Sequence, residues 1–325
     1  MIYILKDELA AQKLVATLAD RVKTVAQVKN RVAIVEKEDV LTADERIDVI
    51  DTVVGHHGAI RVSRELHPEN TVITTAHSHI GEGLTIMAGP DAIESEAHLR
   101  EIGTAVRDLG ATILRGGSYK PRTSPYSFQG VGEAGLAIHR KVADELNMDM
   151  MTEVLDTRDV ALVGQYTDIF QVGARNMQNF ALLKALGQQA KPVLLKRGMS
   201  ATLDEYLFAA EYIAAFGNPN IILMERGIRG FDAKYTRNVF DVAAVPVLQS
   251  MTHLPVLVDS SHAAGKAKFV EPLALAGIAA GAQGYMVELH NEPAKALVDG
   301  DQALTTVQFA QLVQQAQAIY DIVAR

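Results

Sequence analysis

Eight short apolar runs, spaced by longer amphipathic stretches, constrain this chain more than any other feature. They occupy residues 84–88, 111–114, 148–152, 169–172, 192–195, 221–224, 255–258 and 284–287. Continuous apolar runs, as opposed to alternating ones, are expected where a parallel sheet is covered on both faces. Each intervening segment is long enough for a helix. Eight strand–helix units predict a (β/α)8 barrel, and 325 residues accommodate one of roughly 250 residues plus a small module. A doubly wound open sheet is the competing architecture. It is disfavoured because no Gly-x-Gly-x-x-Gly follows the first run.

The first 64 residues read differently. Runs at 2–5, 24–28, 32–35 and 59–62 suggest strands, and helical spacing covers 9–19. Thr42-Ala43-Asp44-Glu45 has the form of a capping box, which predicts a second helix reaching residue 54, its end bracketed by Gly55 and Gly58. The expected pattern is a ferredoxin-like βαββαβ module over 1–64, with the barrel over 65–325.

Catalytic residues of a barrel enzyme sit just after its strands. Those positions carry Asp91 after the first run and Arg115 after the second, followed by Lys120, Arg122, Thr123 and Ser124. Arg175, Lys196 and Arg226 follow the fourth, fifth and sixth, and His262, Glu288 and Asp299 come after the last two. The chain carries a net charge of −8, so basic residues gathered on one rim need a reason. An anion supplies it, and phosphate fits because guanidinium binds its oxygens in pairs. The count suggests two anionic groups, one for Arg175, Lys196 and Arg226, the other for Arg122, Thr123 and Ser124. One imidazole and three carboxylates, His262, Glu288, Asp299 and Asp91, could hold a divalent metal. The alternative is a buried His–carboxylate network that only orients the basic residues.

Composition removes other classes. With no cysteine there is no disulfide, zinc–thiolate site or thiol nucleophile. The acidic balance argues against nucleic acid as a partner, and no apolar run approaches a membrane span. The first residues lack the pattern of a signal peptide. A cytoplasmic protein acting on small molecules is expected.

The stretch Arg115-Gly116-Gly117-Ser118-Tyr119-Lys120-Pro121-Arg122-Thr123-Ser124 resembles the signature of the 3-deoxy-D-arabino-heptulosonate 7-phosphate (DAHP) synthases of type I beta, which carry an N-terminal ferredoxin-like extension. Gly173-Ala174-Arg175-Asn176, Lys196-Arg197-Gly198, Glu225-Arg226-Gly227 and Val287-Glu288-Leu289-His290 are similar as well. The resemblance implies condensation of phosphoenolpyruvate (PEP) with erythrose 4-phosphate, the step that opens the shikimate pathway to aromatic amino acids. It implies PEP contacts from Arg115, Lys120, Arg175, Lys196 and Arg226, and aldose-phosphate contacts from Arg122, Thr123 and Ser124. Lys120 would donate a proton to the new alkoxide. The sister family, the 3-deoxy-D-manno-octulosonate 8-phosphate synthases, shares the barrel but has a different motif at residues 120–124. Feedback by an aromatic amino acid and a homotetramer are further implications of the resemblance.

Two positions depart from the family. Its metal ligands are Cys, His, Glu and Asp, and here Asp91 stands at the cysteine position beside His262, Glu288 and Asp299. Either Asp91 ligates, which favours a hard ion such as manganese, or the enzyme works without metal, or the chain binds phosphorylated metabolites without turnover. The retention of the other ligands and substrate residues favours the first. Ser260 replaces the usual proline before Ser261-His262, which is expected to loosen that loop.

Overall fold

The computed structural model describes residues 1–325 except 37, 55–57, 123 and 325. The barrel is present. Strands β7 (Thr85–Gly89), β8 (Ile113–Arg115), β9 (Asp149–Glu153), β10 (Ile169–Val172), β11 (Val193–Lys196), β12 (Ile221–Glu225), β13 (Val256–Asp259) and β14 (Gly284–Glu288) close into one ring. All neighbours are parallel, and the ring shuts where Val287 pairs with Ala88. Each of the eight apolar runs became one of these strands. Their outward faces pack on the surrounding helices, and Met87, Ile113, Met151, Leu194, Met224 and Met286 fill the interior. The interior is thus a packed core and not a pore. Gly89 shows why the first strand must end as it does. Its φ is +155°, and a Cβ there would lie 2.1 Å from the Arg115 carbonyl oxygen. Only glycine lets β7 reach the rim this close to β8.

The N-terminal module forms a four-stranded antiparallel sheet. It contains β1 (Ile2–Leu5), β2 (Val25–Val28), β3 (Arg31–Ile34) and β4 (Val49–Val53), in the order β2-β3-β1-β4. Helix α1 (Glu8–Leu18) is capped by Asp7, whose carboxylate accepts the Ala10 amide at 2.7 Å. Its Leu14 and Leu18 pack on Tyr3, Leu5, Val32 and Ile34.

The expected second helix is not formed. Thr42 and Glu45 do make a capping contact, the Thr42 amide reaching Glu45 Oε2 at 2.8 Å, but it closes only a turn. The strand that follows is rich in β-branched residues, and its Val49, Thr52 and Val53 pair with β1 instead, Ile50 falling at a bulge. Tertiary pairing overrides the local cap. Consequently the fourth strand lies at Val49–Val53 and not at 59–62, which is irregular. Gly55, expected to end the missing helix, lies outside the described residues.

Between module and barrel a two-stranded hairpin, β5 (Ile73–Thr74) with β6 (His79–Ile80), reaches the end of the barrel opposite the rim. Ile73 and Ile80 join the interior cluster there. The Thr75 and Ser78 hydroxyls both donate to Asp149 Oδ2, at 2.5 and 2.6 Å. The second capping box is real: Thr202 and Glu205 open the helix Leu203–Ala215. A last helix, Thr306–Val323, follows. Among the described residues no helix is long and apolar enough to cross a membrane.

Candidate active site

The carboxyl ends of the strands open into a cleft of about 560 Å³. Eight basic side chains reach it: the expected Arg115, Lys120, Arg122, Arg175, Lys196 and Arg226, and also Arg229 and Arg237. Ser124, Asp91, His262 and Asp299 line it too, and Glu288 sits just beneath, 1% exposed. Thr123 lies outside the described residues. The structure therefore places every described residue of the expected set at one rim.

The basic residues are not equivalent. Arg115 and Lys196 end β8 and β11 and are buried. Lys196 Nζ donates to Asp259 Oδ2 at 2.6 Å. Burial holds the Lys196 ammonium below the ordinary lysine value, with Asp259 opposing that effect. Arg226 is also pushed down by burial, and its Nη1 is buried without a hydrogen-bond partner. An unpaired buried guanidinium N–H is costly, and a bound anion would relieve it. Lys120 is committed differently: its ammonium donates to Asp91 Oδ1 at 2.7 Å and to the Asp91 carbonyl at 3.0 Å.

Four side chains form the acidic half of the site. One ligand atom from each of Asp91, His262, Glu288 and Asp299 lies within 4.8 Å of the others. His262 Nδ1 meets Asp259 Oδ2 at 2.7 Å, and the His262 amide donates to Asp259 Oδ1 at 3.0 Å. A carboxylate at Nδ1 fixes the ring proton there and leaves the Nε2 lone pair free. Nε2 faces Glu288 Oε1 at 3.2 Å. Burial lowers the His262 pKa to about 4, with Asp259 working against it, so the ring is neutral at pH 7. Burial, and next the charge of Asp91, hold Glu288 well above the carboxylate range. Burial would also raise Asp91, but Lys120 and Arg115 outweigh it and keep Asp91 ionised. His262 Nε2 and Glu288 Oε1 thus face each other, and Asp91 Oδ2 and Glu288 Oε1 are buried without hydrogen-bond partners. A proton or a cation must lie between them. The donor set fits a divalent cation, with three oxygen donors and one imidazole nitrogen. Asp299 is shared, since its Oδ2 also accepts from Arg237 at 2.7 Å.

The segment around Ser260 is tighter than expected. It is a short helix, Ser260–Ala264, capped by Asp259, and Ser260 is fully buried. Proline suits the first position of a helix, but serine there does not unravel it.

Several cleft residues were not assigned a role from sequence. Glu153 and Asp259 end β9 and β13, so strand position alone could have raised them. Glu153 is squeezed against Gly173, where a Cβ would lie 2.0 Å from Glu153 Oε1. Burial raises its pKa, with Lys120 and Lys196 opposing. Arg237 lies in the cleft but far from any strand end, and no positional signal marks it.

Comparison with known proteins agrees with this geometry. Residues 69–322 match the model of the DAHP synthetase I family. The chain is 48% identical over 299 residues to a phospho-2-dehydro-3-deoxyheptonate aldolase of Thermotoga maritima, covering 91% of this chain and 88% of that protein. A crystal structure of a T. maritima protein of that name, there also called DAHP synthase, superposes with a TM-score of 0.81 at 44% identity, covering 99% of this chain and 97% of that one. A 2-dehydro-3-deoxyphosphooctonate aldolase of Koribacter versatilis is 31% identical over 245 residues, 69% of this chain and 86% of that protein.

Proposed function

Because the chain belongs to the DAHP synthetase I family, we propose that it condenses PEP with erythrose 4-phosphate to give DAHP and inorganic phosphate. C3 of PEP forms a bond to the aldehyde carbon, water adds at C2, and the C2–O bond breaks to release phosphate. The observation that carries this reading is the convergence of eight basic side chains on one cleft of an acidic chain, beside a His–carboxylate cluster.

On this reading Arg115, Lys120, Arg175, Lys196 and Arg226 bind PEP, and Arg122, Thr123 and Ser124 bind the aldose phosphate. Arg226, with its free buried donor, meets the PEP phosphate. Lys120, 2.7 Å from Asp91 Oδ1, delivers the proton that the new alkoxide needs. Asp91, His262, Glu288 and Asp299 would hold a divalent metal, which supplies Lewis-acid polarisation of the aldehyde oxygen. Asp91 in place of a thiolate makes the set oxygen-rich and favours manganese or magnesium. Asp259 acts through its partners, fixing the His262 tautomer and holding Lys196 in place.

Residues 1–64 and 65–325 are proposed as regulatory and catalytic units, the former answering to an aromatic amino acid in a homotetramer. A cytoplasmic setting suits a catalyst of small phosphorylated metabolites. The test is phosphate release from PEP plus erythrose 4-phosphate with manganese present. Release that depends on both substrates, and is far slower with arabinose 5-phosphate, supports the reading. Release only with arabinose 5-phosphate assigns the sister reaction, and none with either aldose defeats both.

A further inference from the structure

Beside the rim cluster lies a second group of ligand-type side chains that the proposed reaction does not use. Glu94 lies three residues beyond Asp91, and His98 stands in the first turn of α2 (Glu96–Asp108). His290 lies two residues beyond Glu288, past the end of β14. One ligand atom from each of the three lies within 4.8 Å of the others. The His98 and His290 rings face each other with centroids 4.2 Å apart, and His290 Nε2 lies 3.5 Å from Glu94 Oε1.

The polar atoms here are left over. Both ring nitrogens of His98 and Nε2 of His290 are buried with no hydrogen-bond partner, and His290 is 6% exposed. Asn291 stands near the His98 ring but donates its amide to Glu101 Oε2 at 2.9 Å. Three unpaired ring nitrogens around one carboxylate are expensive to keep without a ligand. We propose that Glu94, His98 and His290 form a second divalent-cation site, for zinc or a similar borderline first-row ion.

The chemistry separates it from the rim. Two imidazoles and one carboxylate are a softer set than three carboxylates and one imidazole. Three protein ligands leave a fourth position for water. Metal–ligand bonds near 2.0–2.1 Å set the ligand atoms roughly 3.3 Å apart in a tetrahedron, so small side-chain rotations close the site. Glu94 Oε1 is already oriented by the Leu297 amide at 2.9 Å. His290 Nδ1 accepts the Glu292 amide at 3.0 Å, so metal at Nε2 requires the ring proton to move to Nδ1. The Glu292 amide then keeps Asn291 Oδ1, also at 3.0 Å, as its acceptor. Since both cation sites draw ligands from the segments after β7 and β14, filling the outer one braces the segments that carry Asp91 and Glu288.

The experiment is equilibrium dialysis of the metal-free, full-length protein against zinc, with elemental analysis of bound metal. The comparison is wild type against His98→Asn and Glu94→Gln. The glutamine keeps an oxygen for the Leu297 amide, and circular dichroism checks the fold of each. Wild type is expected to bind one more equivalent per chain than either variant. In wild type, cobalt in place of zinc should give visible absorption bands that both variants lose. Equal zinc content in wild type and a folded Glu94→Gln would overturn the site, whatever the rim binds.

Discussion

The two ends of the barrel bury polar groups in opposite ways. At the closed end there is a single carboxylate, Asp149, whose Oδ2 accepts two neutral hydroxyls of the hairpin while Oδ1 is buried without a hydrogen-bond partner, under an apolar lid of Ile73 and Ile80. At the rim, Arg115, Lys196, Arg226, Asp91, Asp259 and Glu288 are all buried, and several of their atoms lack partners. The first arrangement is a local solution to closing a barrel. The second is electrostatically costly as it stands and becomes favourable only with ligands in place. The same fold therefore concentrates stability at one end and chemistry at the other.

This contrast can be broken or sharpened by mutation. The largest effect is expected for Lys120→Met, which removes the proton donor and leaves Asp91 without its closest cation. Activity with both substrates should fall roughly 10³-fold in kcat. A loss confined to KM would instead make Lys120 a binding group alone.

A smaller effect, on stability, is expected away from the rim. Glu211 accepts the Arg61 and Val62 amides at 2.9 and 3.1 Å, tying the end of the module to the helix Leu203–Ala215. Burial raises its pKa from 4.5 to about 7, with those amides opposing. The folded chain thus holds this proton more tightly than the unfolded one. The contribution of Glu211 is most favourable below pH 4.5, is lost as pH rises to about 7, and is flat above. The loss is about 3 kcal/mol in order of magnitude. Denaturant titrations at several pH values should show the stability difference between wild type and Glu211→Gln sloping over that window and flat above it.

The smallest effect is expected for Asp149→Asn. Its amide can still accept one hydroxyl, so stability should fall by about 1 kcal/mol. The KM for PEP should not move, and a large kinetic defect would erase the distinction between the two ends.

Much of this was legible in the sequence because barrel strands are local signals. Each is a continuous apolar run, and the fold rule then points to the residue after it, which is how Arg115, Lys196, Arg226 and His262 were found. The missing helix at 42–54 shows the limit. A capping box is a local cue worth about 1 kcal/mol, and pairing with β1 outweighs it. Arg237 shows another limit. It reaches Asp299 from a distant loop, a contact that no periodicity encodes. The Lys120–Asp91 pair was also hidden, although both residues were singled out, because their contact depends on the turn of the loop that carries Lys120.

The most direct test of the rim as the anion seat is calorimetric titration of PEP into wild type, Arg226→Ala and Asp149→Asn. The account predicts that Arg226→Ala weakens PEP binding by roughly 10²-fold, the range for losing a charge-assisted contact, while Asp149→Asn binds as wild type does. Equal PEP affinity in wild type and Arg226→Ala would contradict it.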